Sequence, residues 1–196
     1  MKLFDEYPFL TDGIILLRKI VLSDAEALQA LRTDQEVYRY LPTFLYEQKY
    51  EDVYEVIGRM DEECFRTKES ILLAVCLADQ PDTLCGIAEI YAWEPWRRKA
   101  SIGYRLRREY WGRGIAAEAA SAVIDFGFKV LNLHRIEANL MIENTQSKRV
   151  LEKCGMKFEG IKRGGVFAKG GYRDLCIFSI VREEYETNAK KTYITT

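Results

Sequence analysis

The sequence predicts a mixed α/β domain of the α+β kind, built on a mostly antiparallel sheet with one βαβ crossover in the middle of the chain. Two observations carry this. Three strand-like runs follow one another between Ile71 and Leu106, joined by connections too short to hold a crossover helix. A long, alanine-rich helical segment then separates Leu106 from the next strand-like run at Arg135.

The elements read in order as follows. Residues 14–20 form a first strand. Ser23 is placed to cap the helix after it, with Glu26 as its capping-box partner, and Ala27, Leu28 and Leu31 give that helix an apolar face. A second helix is predicted over 50–65, where Val53, Ile57, Met60 and Cys64 recur at helical spacing. The unbroken apolar run at 71–78 reads as a buried strand, Pro81-Asp82 as a turn, and 84–93 and 100–106 as the third and fourth strands. A helix over 114–131 turns Ile115, Ala119, Ala122, Val123, Phe126 and Val130 to one side. A fifth strand at 135–142 is followed by a helix at 144–154, closed by Gly155. Two strands at 156–167 and 172–181, joined at Gly170-Gly171, complete the order β-α-α-β-β-β-α-β-α-β-β.

Composition bounds the function. The 196 residues fit one domain over 1–185 with a polar C-terminal tail at 186–196 that frays. Lys and Arg number 29 against 30 Asp and Glu, a balance that argues against direct nucleic-acid binding through many phosphates. Five scattered cysteines without a CxxC pair point to a reduced, cytoplasmic setting and no metal site. Acidic residues interrupt the first ten positions, unlike a signal peptide, and no apolar run approaches the ~18 residues of a membrane span, so no membrane role is expected.

The segment RREYWGRGIAAEAA, residues 107–120, carries the chemistry. Gly112 and Gly114 lie just ahead of a helix whose first N–H groups lack partners and whose dipole favours an anion. Glycines there let a pyrophosphate reach the backbone, and Arg107, Arg108 and Arg113 can add charge-assisted bonds. A Walker A loop is excluded because Ile115, not Lys, follows Gly114. Gly112, Gly114 and Ala117 match a dinucleotide fingerprint literally, with Glu137 downstream, but a charged RRE spacer parts them from the strand that should deliver them. A plain glycine-rich turn remains the alternative.

Four segments in the right order resemble the GNAT superfamily of N-acetyltransferases, in particular its RimJ/RimL-type branch. Gly112-Arg113-Gly114 with Ala116 matches the family's pyrophosphate-loop motif, Q/R-x-x-G-x-G/A. IGYRL at 102–106 is similar to its bulged fourth strand, LHRIEANL at 133–140 to its fifth, and NTQSKRVLEKCGMKFEG at 144–160 to the branch's N-x-x-S … L-E-K-x-G-F-x-x-E-G segment. The resemblance spans 14–182, nearly the whole chain. It departs at Glu109, where the motif has Gln or Arg, and at Ser101, where many members carry a catalytic Glu. Ser147 stands in for the Tyr that many members use to protonate the departing thiolate, and Met156 for a Phe.

The resemblance implies a V-shaped split between the fourth and fifth strands, with helices on both faces of the sheet. Acetyl-CoA, as cosubstrate, would lay its pantetheine in the split near Leu106, beside Asn144 and Ser147. Its pyrophosphate would rest on Gly112, Arg113, Gly114, Ile115, Ala116 and Ala117, with Arg107 alongside. The acceptor would enter from the other side, over the first two helices and the loop after Trp93. It would be a primary amine: a protein N-terminus, a polyamine, an antibiotic or another metabolite. The protein would act as a monomer or a homodimer by direct attack in a ternary complex; the alternative is a non-catalytic acyl-CoA sensor on the same fold.

An amine attacks only as the free base, and a lysine-like amine of pKa about 10.4 is almost wholly protonated at neutral pH. Glu89 and Glu137, acids inside strands where acids are depleted, are the candidate bases. Each has an ordinary reading too, facing solvent or paired with an Arg. Ser147 is the candidate donor to the thiolate, Asn144 a helix cap, and a backbone N–H near Leu106 a stabiliser of the oxyanion. His134, the one histidine, reads as structural. Trp93, Trp96, Tyr91 and Phe44 are candidates to line the acceptor pocket.

Overall fold

The computed structural model describes residues 6–42, 44–188 and 194–195. A two-residue strand, β1 (Leu10–Thr11), precedes β2 (Ile15–Lys19), and α1 (Ala25–Thr33) and α2 (Val53–Met60) follow. The expected meander is β3 (Ser70–Leu77), β4 (Gly86–Glu94) and β5 (Lys99–Leu106). Helix α3 (Ile115–Lys129) crosses to β6 (Arg135–Met141), and α4 (Thr145–Lys153) leads to a hairpin of β7 (Lys157–Ala168) and β8 (Gly171–Val181). Helix α5 (Arg182–Asn188) and β9 (Ile194–Thr195) end the described chain. The strand order is β7-β8-β6-β5-β4-β3-β2-β1-β9, with β5–β6 the one parallel pair among the described residues. The fold class is the expected one.

The apolar run of β3 is unbroken because both faces of the sheet are covered. Ile71, Leu73 and Val75 join a core shared with α3, while Leu72, Ala74 and Cys76 join a second core under α1 and α2. Helix α3 is buried nearly all round, beyond the single face its spacing suggests. At Gly127 a Cβ would stand 2.7 Å from Ile136 Cδ1, so glycine lets the helix close on β6.

Strands β5 and β6 pair only at Lys99↔Arg135, Ala100↔Ile136 and Ser101↔Glu137. Beyond that point β5 stays bonded to β4 as far as Leu106 and β6 to β8 as far as Met141. Each strand is held by its outer neighbour while the two part company, which makes the V.

Several local expectations are corrected. Ser23 does not cap α1: a 3₁₀ turn at Leu22–Asp24 intervenes, and the buried Asp24 accepts the Val21 N–H at 2.8 Å while binding Arg18 through both carboxylate oxygens. The second helix stops at Met60 and loosens into a π turn over Asp61–Phe65. The strand expected to be bulged pairs regularly from Ser101 to Leu106; the register shift lies at Tyr91–Glu94, where Ala92 has φ +49°. The β7–β8 turn is Lys169-Gly170, both with positive φ, one residue ahead of the glycine pair. In the region expected to fray, α5 runs on to Asn188, and residues 189–193 and 196 lie outside the described residues.

Candidate active site

Two cavities, of about 780 Å³ and about 640 Å³, open on the split between β5 and β6. They meet at Tyr40, Leu41, Tyr104, Arg105, Asn144 and Ser147, so together they make one groove that passes through the sheet.

The smaller cavity ends at the glycine loop. Gly112 and Gly114 have φ of +72° and +83°, a region open to glycine at little cost, and Gly114 is the N-cap of α3. The N–H groups of Ala117 and Glu118 turn back to the Gly114 carbonyl. Those of residues 112–116 have no acceptor among the described residues. Gly112 to Gly114 are exposed, so the helix start is open.

The cations there are not those anticipated. Arg107 bonds the Leu84 carbonyl at 3.2 Å and pairs with Glu109 at 2.6 Å, which also accounts for the acid at that motif position. Arg113 lies over the Tyr110 ring, 5.5 Å from its centroid, and Arg108 pairs with Asp34. None of the three lines the cavity. Its wall carries Arg149 and Lys153 instead, one helical turn apart on α4, and Lys153 Nζ approaches Gly114.

Along β5 the Arg107 N–H donates to Cys85 on the β4 side. Strand alternation therefore turns the backbone amides of Ile102, Tyr104 and Leu106 toward the split. The Leu106 carbonyl is already taken by Trp111 Nε1 at 2.8 Å. The Leu106 side chain belongs to the core, and Leu106 still lines the cavity.

Facing α1 and α2, Glu89 lines the larger cavity and receives Arg105 Nη1 at 2.9 Å. Arg105 Nη2 reaches Glu47 at 2.5 Å, and the Tyr38 hydroxyl donates to the other oxygen of Glu47 at 2.5 Å. Arg105 Nε is buried without a partner among the described residues. Burial pushes the Glu89 carboxyl above the usual carboxylate range; Arg105 pulls it down, and the Glu47 carboxylate adds to the rise. The two carboxylates keep Arg105 charged in spite of its burial.

At the junction Asn144 caps α4, its Oδ1 accepting the Ser147 N–H at 3.1 Å. The Tyr104 hydroxyl donates to the Ser147 carbonyl at 3.1 Å, and burial raises its pKa so that it stays protonated. Ser147 is half-buried and lines both cavities.

Residues 15–157 match the acetyltransferase (GNAT) domain model. The chain belongs to the GNAT acetyltransferase family. It is 34% identical over 173 residues to the uncharacterized N-acetyltransferase p20 of Bacillus licheniformis, covering 87% of this chain and 94% of that one. It is 27% identical over 167 residues to the spermidine N(1)-acetyltransferase of Escherichia coli strain K12, covering 84% and 86% of the two chains. The solved structure of Mycobacterium smegmatis RimJ in complex with CoA-disulfide superposes with a TM-score of 0.78 at 26% identity, covering 94% of this chain and 88% of that one. This GNAT protein is an acetyltransferase, and its relatives are N-acetyltransferases.

Of the candidate residues, the groove brings together Glu89, Leu106, Gly112, Gly114, Ile115, Ala116, Ala117, Asn144 and Ser147. Glu137 is elsewhere. It lies where β5 and β6 are still paired, bound to Arg135 at 2.8 Å and Lys99 at 3.1 Å. Burial pushes its carboxyl up, but those two cations outweigh burial and hold it below the ordinary range. His134 is exposed and outside the groove. Tyr91 and Phe44 line the larger cavity, whereas Trp93 packs on the core and Trp96 is exposed. The loop joining α1 to α2, not the one after Trp93, supplies the wall. Sequence reasoning missed Glu47, Tyr104 and Arg105. For Arg105 a signal existed: a cation in a strand, on the face that alternation assigns to the core, requires buried carboxylates.

Proposed function

We propose that this GNAT acetyltransferase, of the RimJ/RimL type, moves an acetyl group from acetyl-CoA to a primary amine in a ternary complex. One observation carries the reading: a single groove joins a row of unpaired N–H groups at the start of α3 to a buried carboxylate of raised pKa.

The groove fits the cosubstrate. Residues 112–116 offer bare amides where side chains would fill the cradle, and Arg149 and Lys153 supply positive charge beside it. The amides of Tyr104 and Leu106 and the capping Asn144 line the path toward Ser147. Bound acetyl-CoA supplies the acetyl group as a thioester. Glu89 takes a proton from the amine, Ser147 gives hydrogen-bonding support to the departing sulfur, and the groove aligns the two substrates, an effect worth on the order of 7–11 kcal/mol in favourable cases.

Calorimetry with acetyl-CoA and CoA tests the first half, with Gly114→Val expected to abolish binding. Thiol release across an amine panel tests the second. Binding without turnover on any amine would favour an acyl-CoA sensor; no binding at millimolar cofactor rejects both.

A further inference from the structure

Resting on the acyl-transfer reading above, we propose that the acceptor is a monoamine, one primary ammonium joined to an apolar body, and not a polyamine. The charge balance of the larger cavity supports this. Its charged lining residues are Lys49, Glu69, Glu89 and Arg105, two of each sign. Lys49 is tied to Glu63 at 2.6 Å, and Glu69 is exposed to solvent at the rim, where water screens it. In the buried part, Arg105 lies between Glu47 and Glu89. One cation between two carboxylates leaves a single uncompensated negative charge when Glu89 is ionised. One ammonium completes that set.

A second or third ammonium finds no such partner. At the rim it meets only the solvent-screened Glu69, and deeper in it would give up its water against a wall of Leu41, Leu45, Tyr91, Met141, Val166 and Leu175, at the cost of burying an unpaired cation. The same wall suits an alkyl or aromatic body, and Phe44, 73% exposed, carries the apolar surface outward at the mouth. The nitrogen forms a bond to the acetyl carbon as the carbon–sulfur bond breaks toward sulfur. Of the two protons the ammonium loses, one ends on the sulfur and one leaves through Glu89 to solvent.

Two sources share this chemistry, a free apolar amine and the α-amine of a peptide whose first side chain is apolar. The experiment measures thiol release by the full chain with acetyl-CoA and phenylethylamine, hexylamine, a peptide beginning with Leu, spermidine or spermine. Calorimetry of phenylethylamine and of spermidine with the CoA-saturated protein runs beside it. We expect kcat/KM for the best apolar monoamine to exceed that for spermidine roughly ten-fold or more, with tighter binding to match, and the free-amine and peptide arms separate the two sources. Leu175→Asp is expected to narrow that ratio. Spermidine or spermine equalling the monoamines overturns the assignment, as does a panel in which no monoamine is acetylated although CoA binds. Absence of CoA binding overturns the acyl-transfer reading first, and this assignment with it.

Discussion

The Glu89 carboxylate lies over the bare Cα of Gly103, its cross-strand partner: a Cβ on Gly103 would stand 2.5 Å from Glu89 Oε1. The missing side chain on β5 is what lets a carboxylate on β4 lie flat against the sheet and reach Arg105. Gly103→Ala should therefore push Glu89 off Arg105 and lower kcat, with a stability loss of about 1–3 kcal/mol from overpacking. Steady-state rates and thermal unfolding of the variant check both.

Glu89→Gln removes the proposed base without changing its shape. A loss of about 10²–10⁴-fold in kcat is expected at neutral pH, with little change in cofactor affinity. Stability should move the other way. A carboxyl whose folded pKa lies above its unfolded value favours the protonated state, so it costs stability as pH rises past the ordinary range. The neutral amide avoids that cost, and Glu89→Gln should melt at a higher temperature than the parent at pH 7. A Tm at or below that of the parent contradicts the burial argument.

Glu47 tunes Glu89 without touching the acceptor cavity, since it draws Arg105 away and adds a like charge nearby. The base works deprotonated, so its raised pKa places the acid limb of kcat/KM above the ordinary carboxylate range. Glu47→Gln takes away one contribution to the rise and leaves Arg105 to Glu89, so the limb should shift to lower pH. A pH–rate profile of the two proteins reads the shift, and an unmoved limb means that Glu47 serves packing alone.

These relationships explain how far the chain could be read unaided. The sheet, the crossover and the glycine loop were legible because each has a local signature: period-two or unbroken apolar runs, an alanine-rich helix, paired glycines ahead of it. Glu89 and Glu137 carry the same signature, an acid within a strand, and both are ion-paired, but only Glu89 lines the groove. Which strand acid faces the groove depends on where β5 and β6 part, and that is set by their outer neighbours, not by their own sequence. Glu47 and Arg105 are 58 positions apart and meet only because the α1–α2 loop folds back over the sheet. Arg107 and Arg113 are near the loop in sequence, but the structure turns them to Glu109 and to the Tyr110 ring and off the cavity wall, for a related reason: their partners are set by the local turn and not by the loop alone.

Cofactor affinity separates the cations on the cavity wall from those beside the loop. Arg149 and Lys153 are expected to neutralise phosphate charge, so Arg149→Ala and Lys153→Ala should each weaken CoA binding by about 1.5–3 kcal/mol and flatten its salt dependence. Arg113→Ala should change affinity far less. Calorimetric titrations at two ionic strengths distinguish the two sets, and a larger effect at Arg113 would restore the sequence-based choice.

At the closed end of the split, Arg135 holds Glu137 and, through two bonds, Glu159, which also accepts the Ser179 hydroxyl at 2.6 Å. With Lys99 on Glu137, the cluster ties β5, β6, β7 and β8 below the point where the groove opens. The Arg135 guanidinium, then Ser179, holds the Glu159 carboxyl down at about 2. A depressed carboxyl contributes stability above its unfolded pKa and loses it as pH falls, here between the ordinary value of 4.5 and about 2. Because the Glu159 side chain is 41% exposed, solvent screening limits the contribution to about 1 kcal/mol or less. Glu159→Gln should accordingly lower Tm by a few degrees at pH 7 and by less as the pH approaches 2. Glu137→Gln should leave kcat and its pH profile unchanged, because that carboxylate faces two cations and not the groove. A kcat loss in Glu137→Gln comparable to that of Glu89→Gln would show that the base had been assigned to the wrong strand.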